Sequence, residues 1–145
     1  WGAARSGGSR HAGTYILSPK GSFIVAVEEG IVERLEWNRL SGWNIMIRHA
    51  DSWTSHYLHL NNDTTGTDDG EGGPQAAFAN DLEEGSYVEA GDVIGFVGDS
   101  GNAEHTGSHT HFELHIDGRK VNPYPYLAAA FERKLIESEL ARTME

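Results

Sequence analysis

A chain of 145 residues is long enough to bury one core and too short for two domains of ordinary size. Its formal net charge of -11 argues against nucleic acid or an anionic membrane as the main partner, because excess carboxylates would be repelled by both. Cysteine is absent, which excludes disulfides and thiolate chemistry, so a bound metal would need histidine, carboxylate or phenolate ligands.

The first half of the chain predicts two antiparallel strand pairs. The β-branched run SFIVAV at residues 22–27 and the alternating run IVERLEW at 31–37 predict a hairpin that turns at residues 28–30. WNIMIRH at 43–49 and WTSHYLHL at 53–60 predict a second pair, joined by a short polar turn. The 18 glycines also favour a turn-rich β fold over a helix bundle.

Residues 61–81 show neither strand nor helix periodicity, so we expect a long loop there. Four acidic residues in this segment could collect a calcium ion, namely Asp63, Asp68, Asp69 and Glu71. Their spacing does not match the known calcium-loop pattern, which favours a solvated acidic loop over a specific site.

The second half predicts three more strands and a helix. Glycines punctuate two short strands within residues 85–98, and HTHFELHI at 109–116 predicts a long strand that ends in a tight turn at Asp117 and Gly118. Residues 125–143 have a helical pattern typical of a packing or linker helix. Its expected apolar stripe consists of Leu127, Phe131, Leu135 and Ile136.

Neither a run of about twenty apolar residues nor a charged-then-apolar leader occurs, so we expect no membrane insertion. The chain starts at Trp1 without methionine, and we therefore expect a mature form or an excised fragment.

The strand HTHFELHI carries the densest group of candidate site residues. A period of two places His109, His111, Glu113 and His115 on one face. The other face, formed by residues 110, 112, 114 and 116, is suited to a core. Histidines two apart on a strand lie roughly 7 Å apart at Cα, which allows one to bind a metal while the other reaches its water or substrate. Two exposed histidines on a polar strand face explain the pattern equally well.

The remaining histidines differ in context. His11 directly precedes the first strand, and His59 stands at a strand end on the face that alternation assigns to Tyr57 and Ser55. His56 falls on the opposite face and is discounted. A single histidine is more often structural than a ligand, so His49 in a turn and His105 in a loop are expected to be surface residues.

Four motifs in order carry a family resemblance: RSGGSRHAGTY, then SPKGSFIVAVEEGIVERLEWN, then GWNIMIRHADSWTSHYLHL, then VEAGDVIGFVGDSGNAEHTGSHTHFELHIDGRKVNPYPYL. Together they resemble the lysostaphin-type (LytM-like) zinc endopeptidases from about Ser6 to Leu127. The resemblance implies a mostly β fold, a compact antiparallel sheet or barrel-like sandwich described as a duplicated hybrid motif. A C-terminal helix follows it here. The corresponding division is a peptidase domain at residues 1–127 and a helix at 128–145.

The resemblance also implies roles for individual residues. His11 matches the first zinc ligand of a His-x-x-x-Asp motif, and His111 matches the ligand that closes a His-x-His pair. His109, the first member of that pair, and His59 match catalytic imidazoles. The implied cofactor is one Zn²⁺, and the implied substrate is the peptide cross-links of bacterial peptidoglycan. The implied location is secreted or in the cell envelope.

The motif is broken where the family has its aspartate ligand, because this chain has Tyr15. A phenol ionises near pH 10, so binding zinc as a phenolate at pH 7 costs about 4 kcal/mol, and the oxygen also lies further from its Cα. We expect one of three outcomes for the metal site, ranked from most to least expected. Zinc is lost, or Tyr15 binds zinc as a tyrosinate, or Glu113 or His115 replaces the aspartate as a ligand. A smaller departure is Ser108 in the place of a proline.

Two functions therefore remain open. One is a zinc endopeptidase domain whose activity is weakened or lost through Tyr15. The other is a non-catalytic module that binds the cell wall or activates another cell-wall hydrolase. A third idea, a lipoyl-type carrier suggested by GSYVEAGDVIGFVG, lacks a lysine at the hairpin tip, since Lys20, Lys120 and Lys134 all lie elsewhere.

Overall fold

A computed structural model describes Gly2 and residues 12–143. These residues form a mostly β fold with a long C-terminal helix, as the sequence predicts. The strands, in chain order, are β1 (Thr14–Leu17), β2 (Phe23–Val25), β3 (Gly30–Asn38), β4 (Gly42–Arg48), β5 (Trp53–Leu60), β6 (Tyr87–Val88), β7 (Val93–Phe96), β8 (His109–Ile116) and β9 (Arg119–Val121). The helices are α1 (Gly73–Ala77) and α2 (Tyr124–Thr143), and a short 3-10 turn spans Gly101–Ala103.

Two antiparallel sheets build the body. The large sheet has the order β1-β8-β5-β4-β3-β6, and β9 pairs with the second half of β8. The small sheet consists of β2 and β7. Strand β8 thus lies between β5 on one edge and β1 and β9 on the other. Residues of β8 are therefore held in register from both sides.

Two tight turns fix the hairpins of the large sheet. Asp51 and Ser52 between β4 and β5, and Asp117 and Gly118 between β8 and β9, all have positive φ. Two consecutive positive φ angles are the feature of the type I′ turn, whose twist matches that of the strands it joins. Both the pairing of β4 with β5 and the turn after β8 confirm the sequence predictions.

The predicted hairpin between residues 22–27 and 31–37 is wrong. Strand β2 pairs with β7, far along the chain, while β3 pairs with β4 and β6. The small sheet closes the core from the side opposite the large sheet and brings Ile24 and Ile94 inside. Gly95 permits this approach, because a Cβ there would lie 2.8 Å from a methyl carbon of Leu60.

One apolar cluster fills the space between the sheets. Its fully buried members include Val32, Ile45, Ile47, Leu60 and Ile94. Burying side chains of this size stabilises the fold by about 1.5–3 kcal/mol each. The core therefore fixes which face of β3, β4, β5 and β8 remains open to a ligand.

The segment 61–81 is largely a loop, as predicted, but it contains the short helix α1, which begins beside Pro74. The loop is tied down by Lys20, whose Nζ lies 2.5 Å from Asp63, 2.6 Å from Asp68 and 3.1 Å from Asp99. Burial alone would lower the pKa of Lys20, but the three carboxylates outweigh burial and raise it well above its usual range. A lysine ammonium therefore occupies the centre of the acidic cluster.

Helix α2 confirms the predicted C-terminal helix but does not bury its apolar stripe. Leu127 packs partly against the core, whereas Phe131, with 68% of its surface exposed, and Leu135 and Ile136 face solvent. Among the described residues, no helix has the length and apolar character needed to cross a membrane.

Candidate active site

A groove of about 870 Å³ crosses the open face of the large sheet. Strands β1, β3, β4, β5 and β8 form its floor, and the segment around the 3-10 turn forms one wall. Its lining residues are Ala12, Tyr15, Leu17, Arg34, Glu36, Asn38, Leu40, Ser41, Asn44, His56, Leu58, His59, Asn102, Ala103, Thr106, Gly107, His109, His111, Glu113, His115 and Lys120.

The alternation predicted for β8 is confirmed. His109, His111, Glu113 and His115 line the groove, while Phe112 and its neighbour Leu114 lie in the core. This division follows from the period of two in a strand whose faces meet different environments. The predicted polar face of β8 is therefore the floor of the groove.

The His59 side chain lies in the groove, although regular strand alternation places it on the other face of β5. Tyr57 and Ser55 point into the core, so regular alternation would send His59 there as well. His59 instead has a φ of 64°, a left-handed conformation that reverses the local side-chain direction. The prediction of its face is wrong, although its place beside the His109–His111 pair agrees with the expected site.

Four aromatic rings meet at one end of the groove, those of Tyr15, His59, His109 and His111. We call these four residues the imidazole cluster, after the three histidines among them. The centroid of the His59 ring lies 5.3 Å from that of His109 and 6.0 Å from that of His111. The Tyr15 ring lies 4.6 Å from His109 and 5.4 Å from His111, edge-on to both. His11 falls outside the described residues. The other four predicted site residues therefore converge in space.

Main-chain carbonyls fix the tautomers of the two predicted catalytic imidazoles. His59 Nδ1 lies 2.8 Å from the Ser100 carbonyl oxygen, and His109 Nδ1 lies 2.8 Å from the Gly107 carbonyl oxygen. Because a carbonyl only accepts, each Nδ1 donates, and in the neutral ring Nε2 is the nitrogen that accepts a proton. Both rings are thus oriented as bases through Nε2.

Tyr15 stands directly opposite His111 in the pairing of β1 with β8. Half of its surface, 51%, is exposed, so its ring lies on the imidazole cluster at the groove opening. Gly13 allows β1 to approach this closely, because a Cβ there would lie 2.4 Å from His111 Nε2. The glycine two residues before Tyr15 is therefore required by the packing of His111.

Glu113 is the buried carboxylate of the groove floor. It accepts hydrogen bonds from His111 Nε2 at 2.9 Å, from His115 Nε2 at 2.8 Å and from Lys120 Nζ at 3.0 Å. Burial would raise the pKa of Glu113, but these three donors outweigh it and hold the pKa well below its usual range. Glu113 is therefore a carboxylate at neutral pH.

His56, which the sequence discounted, also lines the groove. It lies opposite Glu113 in the pairing of β5 with β8, and its ring stacks on His115 at a centroid distance of 4.0 Å. Burial lowers the pKa of His56 to about 4, and the neighbouring His115 and Lys120 act in the same direction, against the carboxylate of Glu113. His56 is therefore neutral in the folded chain at pH 7.

We expect the free energy of unfolding to fall as pH falls from about 6.5 to about 4. In this window the unfolded chain binds a proton at His56 and the folded chain does not, a difference of roughly 3 kcal/mol at most. His56→Asn should flatten the profile, leaving a residual slope from His49, whose pKa burial also lowers. Urea unfolding at a series of pH values measures this, with exposed His105 replaced as the control. Equal slopes in both variants would refute the assignment.

Of the two histidines expected at the surface, one prediction is wrong. His49 is buried, stacks on Trp53 and contacts the Glu29 carbonyl oxygen at 2.6 Å and Ser55 Oγ at 2.8 Å. It belongs to a polar network under the sheet, not to the groove. His105 is exposed, as predicted.

The fit of the site to a metal rests on few described residues. His111 fits a zinc ligand, because a ligating imidazole usually donates its second N–H to a carboxylate, as Nε2 does here to Glu113. Tyr15 does not fit as a ligand at neutral pH, since a phenol must first be ionised. Glu113 and His115 are hydrogen-bonded to each other.

Among the described residues, one group of three possible metal ligands has all its ligand atoms within 4.8 Å of one another, namely Asp63, Asp68 and Asp99. The ammonium of Lys20 lies within ion-pair distance of all three carboxylates.

Comparisons with known proteins agree with this architecture. The model of a family described as "Peptidase family M23" matches residues 9–71 and 75–123. The catalytic domain of the antimicrobial peptidase lysostaphin from Staphylococcus simulans has the same fold, with a TM-score of 0.66 at 23% identity, covering 84% of this chain and 82% of that one.

Three curated proteins are similar in sequence. The L-Ala–D-Glu endopeptidase of Bacillus subtilis is 34% identical over 140 residues, which cover 89% of this chain and 38% of that protein. The peptidoglycan DD-endopeptidase ShyC of Vibrio cholerae is 31% identical over 113 residues, covering 78% and 22%. The murein hydrolase activator NlpD of Salmonella dublin is 32% identical over 126 residues, covering 86% and 27%.

This chain thus spans between 22% and 38% of the length of these relatives. The family match covers most of the described residues, including all four members of the imidazole cluster. Together with the groove and the shared fold, these matches show that the chain belongs to peptidase family M23.

Proposed function

We propose that the chain is a peptidoglycan-directed endopeptidase domain, acting on cell-wall cross-link peptides, whose hydrolytic activity is weakened or lost through Tyr15. The observation that carries the proposal is the convergence of the imidazole cluster at one end of an open groove. The groove crosses five strands of the large sheet, and the relative named as a peptidoglycan DD-endopeptidase supports this substrate class. The corresponding location is secreted or in the cell envelope.

The proposed roles follow from the hydrogen bonds of the site. His59 and His109 present Nε2 to the groove as proton acceptors, because their Nδ1 atoms donate to main-chain carbonyls. His11 and His111 are the proposed metal ligands, with Tyr15 in the third position. A bound zinc ion would supply a Lewis acid that lowers the pKa of its water and polarises the scissile carbonyl. With a phenol in the third position, we expect weak zinc binding and little hydrolysis.

A second candidate is a non-catalytic module that binds cell-wall material or activates another cell-wall hydrolase. The likeness to NlpD, which covers 86% of this chain, supports it. In this case the groove would bind a peptide without cleaving it. The two candidates share the substrate and differ in whether a bond is broken.

Incubation of the purified chain with bacterial sacculi tests both candidates. We expect the chain to sediment with sacculi and to release few soluble peptides, with residual release increased by zinc and stopped by a chelator. His109→Ala should abolish the residual release, whereas His105→Ala, which changes an exposed loop histidine, should not. Release with no response to zinc or chelator would contradict the metallopeptidase proposal.

For the second candidate, the same chain is added to sacculi with a separately purified cell-wall hydrolase. Faster release by that hydrolase, at chain concentrations that release nothing alone, would favour the activator. Absence of both sedimentation and release would contradict both candidates.

A further inference from the structure

We propose that Ser100 is a positioning residue for His59, which fixes both the direction of its ring and the nitrogen that the ring presents to the groove. This inference rests on the proposed function, in which His59 is a catalytic imidazole. Ser100 directly precedes the 3-10 turn at the groove wall, and its side chain is buried and does not line the groove. It therefore acts through His59 and not on a substrate.

The register of β4 and β5 shifts beside His59. Trp43 pairs with Leu60. The next pair, two positions further along β4 but three positions back along β5, is Ile45 with Tyr57. Strand β5 therefore has one extra residue in the stretch that contains His59, and one type of β-bulge contains a residue with the positive φ that His59 has. This bulge turns the His59 side chain toward the groove.

The hydroxyl of Ser100 joins the two strands at this bulge. Trp43 N donates a hydrogen bond to Ser100 Oγ at 3.1 Å, and Ser100 Oγ donates one to the Leu60 carbonyl oxygen at 2.5 Å. Trp43 and Leu60 are paired residues at one end of the bulge, so the hydroxyl bridges the strands where their register changes. Ser100 is fully buried, and buried main-chain groups are costly to leave without a partner. The hydroxyl therefore stabilises the bulge.

The carbonyl oxygen of the same serine determines the tautomer of the His59 ring. It lies 2.8 Å from His59 Nδ1 and accepts the proton of that nitrogen, so in the neutral ring Nε2 is the proton acceptor. Because the hydroxyl attaches Ser100 to β4 and β5, this carbonyl is held at a fixed place relative to the bulge. One residue thus links the direction of the ring to its tautomer.

Two glycines allow Ser100 to lie this close to β4. Gly42 has a φ of 63° and Gly101 a φ of 77°. A Cβ at Gly42 would overlap the Ser100 side chain, and a Cβ at Gly101 would overlap the main-chain nitrogen of Gly42. The two glycines therefore bring the serine hydroxyl within hydrogen-bond distance of β4.

The first test measures the His59 tautomer in the metal-free chain and does not depend on activity. Nitrogen-15 spectra of the histidine rings, at a pH where the imidazoles are neutral, should show His59 protonated at Nδ1 in the unmodified chain. Ser100→Ala removes the hydroxyl bridge and should shift His59 toward a mixture of both tautomers, with faster exchange of the ring proton. Ser100→Cys, whose thiol is a weak hydrogen-bonding group, should shift the tautomer in the same direction and serves if the alanine variant is unfolded.

Ser55→Ala is the matched control, because Ser55 is also fully buried on β5 and lies 2.8 Å from the ring of His49, a histidine outside the groove. It should leave the His59 tautomer unchanged, so a general loss of packing does not explain a shift seen only at Ser100. Protonation of His59 at Nε2 in the unmodified chain would overturn the proposal. An unchanged tautomer and exchange rate in a folded Ser100 variant would overturn it as well.

The second test measures peptide release from sacculi by a chain that carries Tyr15→Asp. Adding Ser100→Ala should lower the maximal rate about 10-fold or more, since a positioned general base contributes roughly 100-fold or more to a reaction. The sacculus concentration that gives half the maximal rate should not change, because the serine does not line the groove. Adding Ser55→Ala should leave both quantities nearly unchanged.

The two tests separate this inference from the proposed function. If the Tyr15→Asp chain releases no peptide, the proposed hydrolysis fails, and the ring spectra still decide whether Ser100 fixes the tautomer of His59. If that chain releases peptide and Ser100→Ala leaves the rate unchanged, the proposed function stands and the positioning role of Ser100 is overturned.

Discussion

Replacing Tyr15 with aspartate is expected to raise the zinc affinity of the chain about a thousandfold at pH 7. An ordinary phenol ionises near pH 10, so its deprotonation at pH 7 costs about 4 kcal/mol before it can bind zinc. An aspartate is already ionised at pH 7 and has no such cost. Tyr15 stands opposite His111 and against the ring of His109, so a carboxylate at this position enters the imidazole cluster. Metal analysis of the purified variant should find about one zinc per chain, and peptide release from sacculi should rise with it.

Tyr15→Asn is the matched control, because asparagine has the shape of aspartate without its charge. It removes the exposed ring in the same way, so a gain seen only with aspartate is due to the carboxylate and not to a wider groove. If the unmodified chain already holds one zinc and digests sacculi as fast as the aspartate variant, the proposed effect of Tyr15 is wrong.

Replacing Lys20 with methionine is expected to lower the free energy of unfolding by up to about 3–5 kcal/mol, the cost of removing one partner of a fully buried ion pair, because two buried carboxylates lose their cation. The side chains of Asp63 and Asp99 are 1% and 6% exposed, and Lys20, whose own side chain is 27% exposed, lies within ion-pair distance of both. The loss should also release the loop at 61–81, which Lys20 ties to the body through Asp63 and Asp68. Urea unfolding followed by tryptophan fluorescence measures the change.

Lys134→Met is the control for Lys20→Met. Lys134 is an exposed residue of α2, and a substitution there should change the free energy of unfolding by less than about 0.5 kcal/mol. Equal stabilities of the two variants would show that the acidic cluster does not depend on Lys20.

The parts of the fold that the sequence predicted are those that local rules determine. Strand β8 alternates because one face meets the core and the other the groove, and its end is marked by Asp117 and Gly118, a pair that favours the type I′ turn. The pairing of β4 with β5 follows from a turn of four residues. For these elements, the information lies within about ten neighbouring positions.

The sequence-based predictions fail where the structure depends on contacts between residues that are far apart in the chain. The run at residues 22–27 has the composition of a strand, but its partner β7 lies about seventy positions later, and a short apolar run does not specify its partner. The acidic loop likewise contacts Lys20, which precedes it by about forty positions. Neither contact has a local sequence signal.

The candidate site was predicted through its family resemblance more than through periodicity. His59 is the clearest case. Its positive φ turns the ring toward the groove, whereas a strand period of two would place it on the core face. Non-glycine residues with positive φ are uncommon, so alternation alone would have placed this imidazole in the core. His56 was discounted by the same rule and lies in the groove.

The exposed stripe of α2 has a consequence for cooperativity. Leu127 attaches the start of the helix to the core, but the helix contains no buried residue over its whole length. Most of the stability of a helix in a protein comes from tertiary packing of one face, and α2 has little of it beyond its start. Its turns beyond the first should fray at temperatures where the sheets are intact, so helical circular dichroism and the fluorescence of Trp37, Trp43 and Trp53 would trace separate transitions.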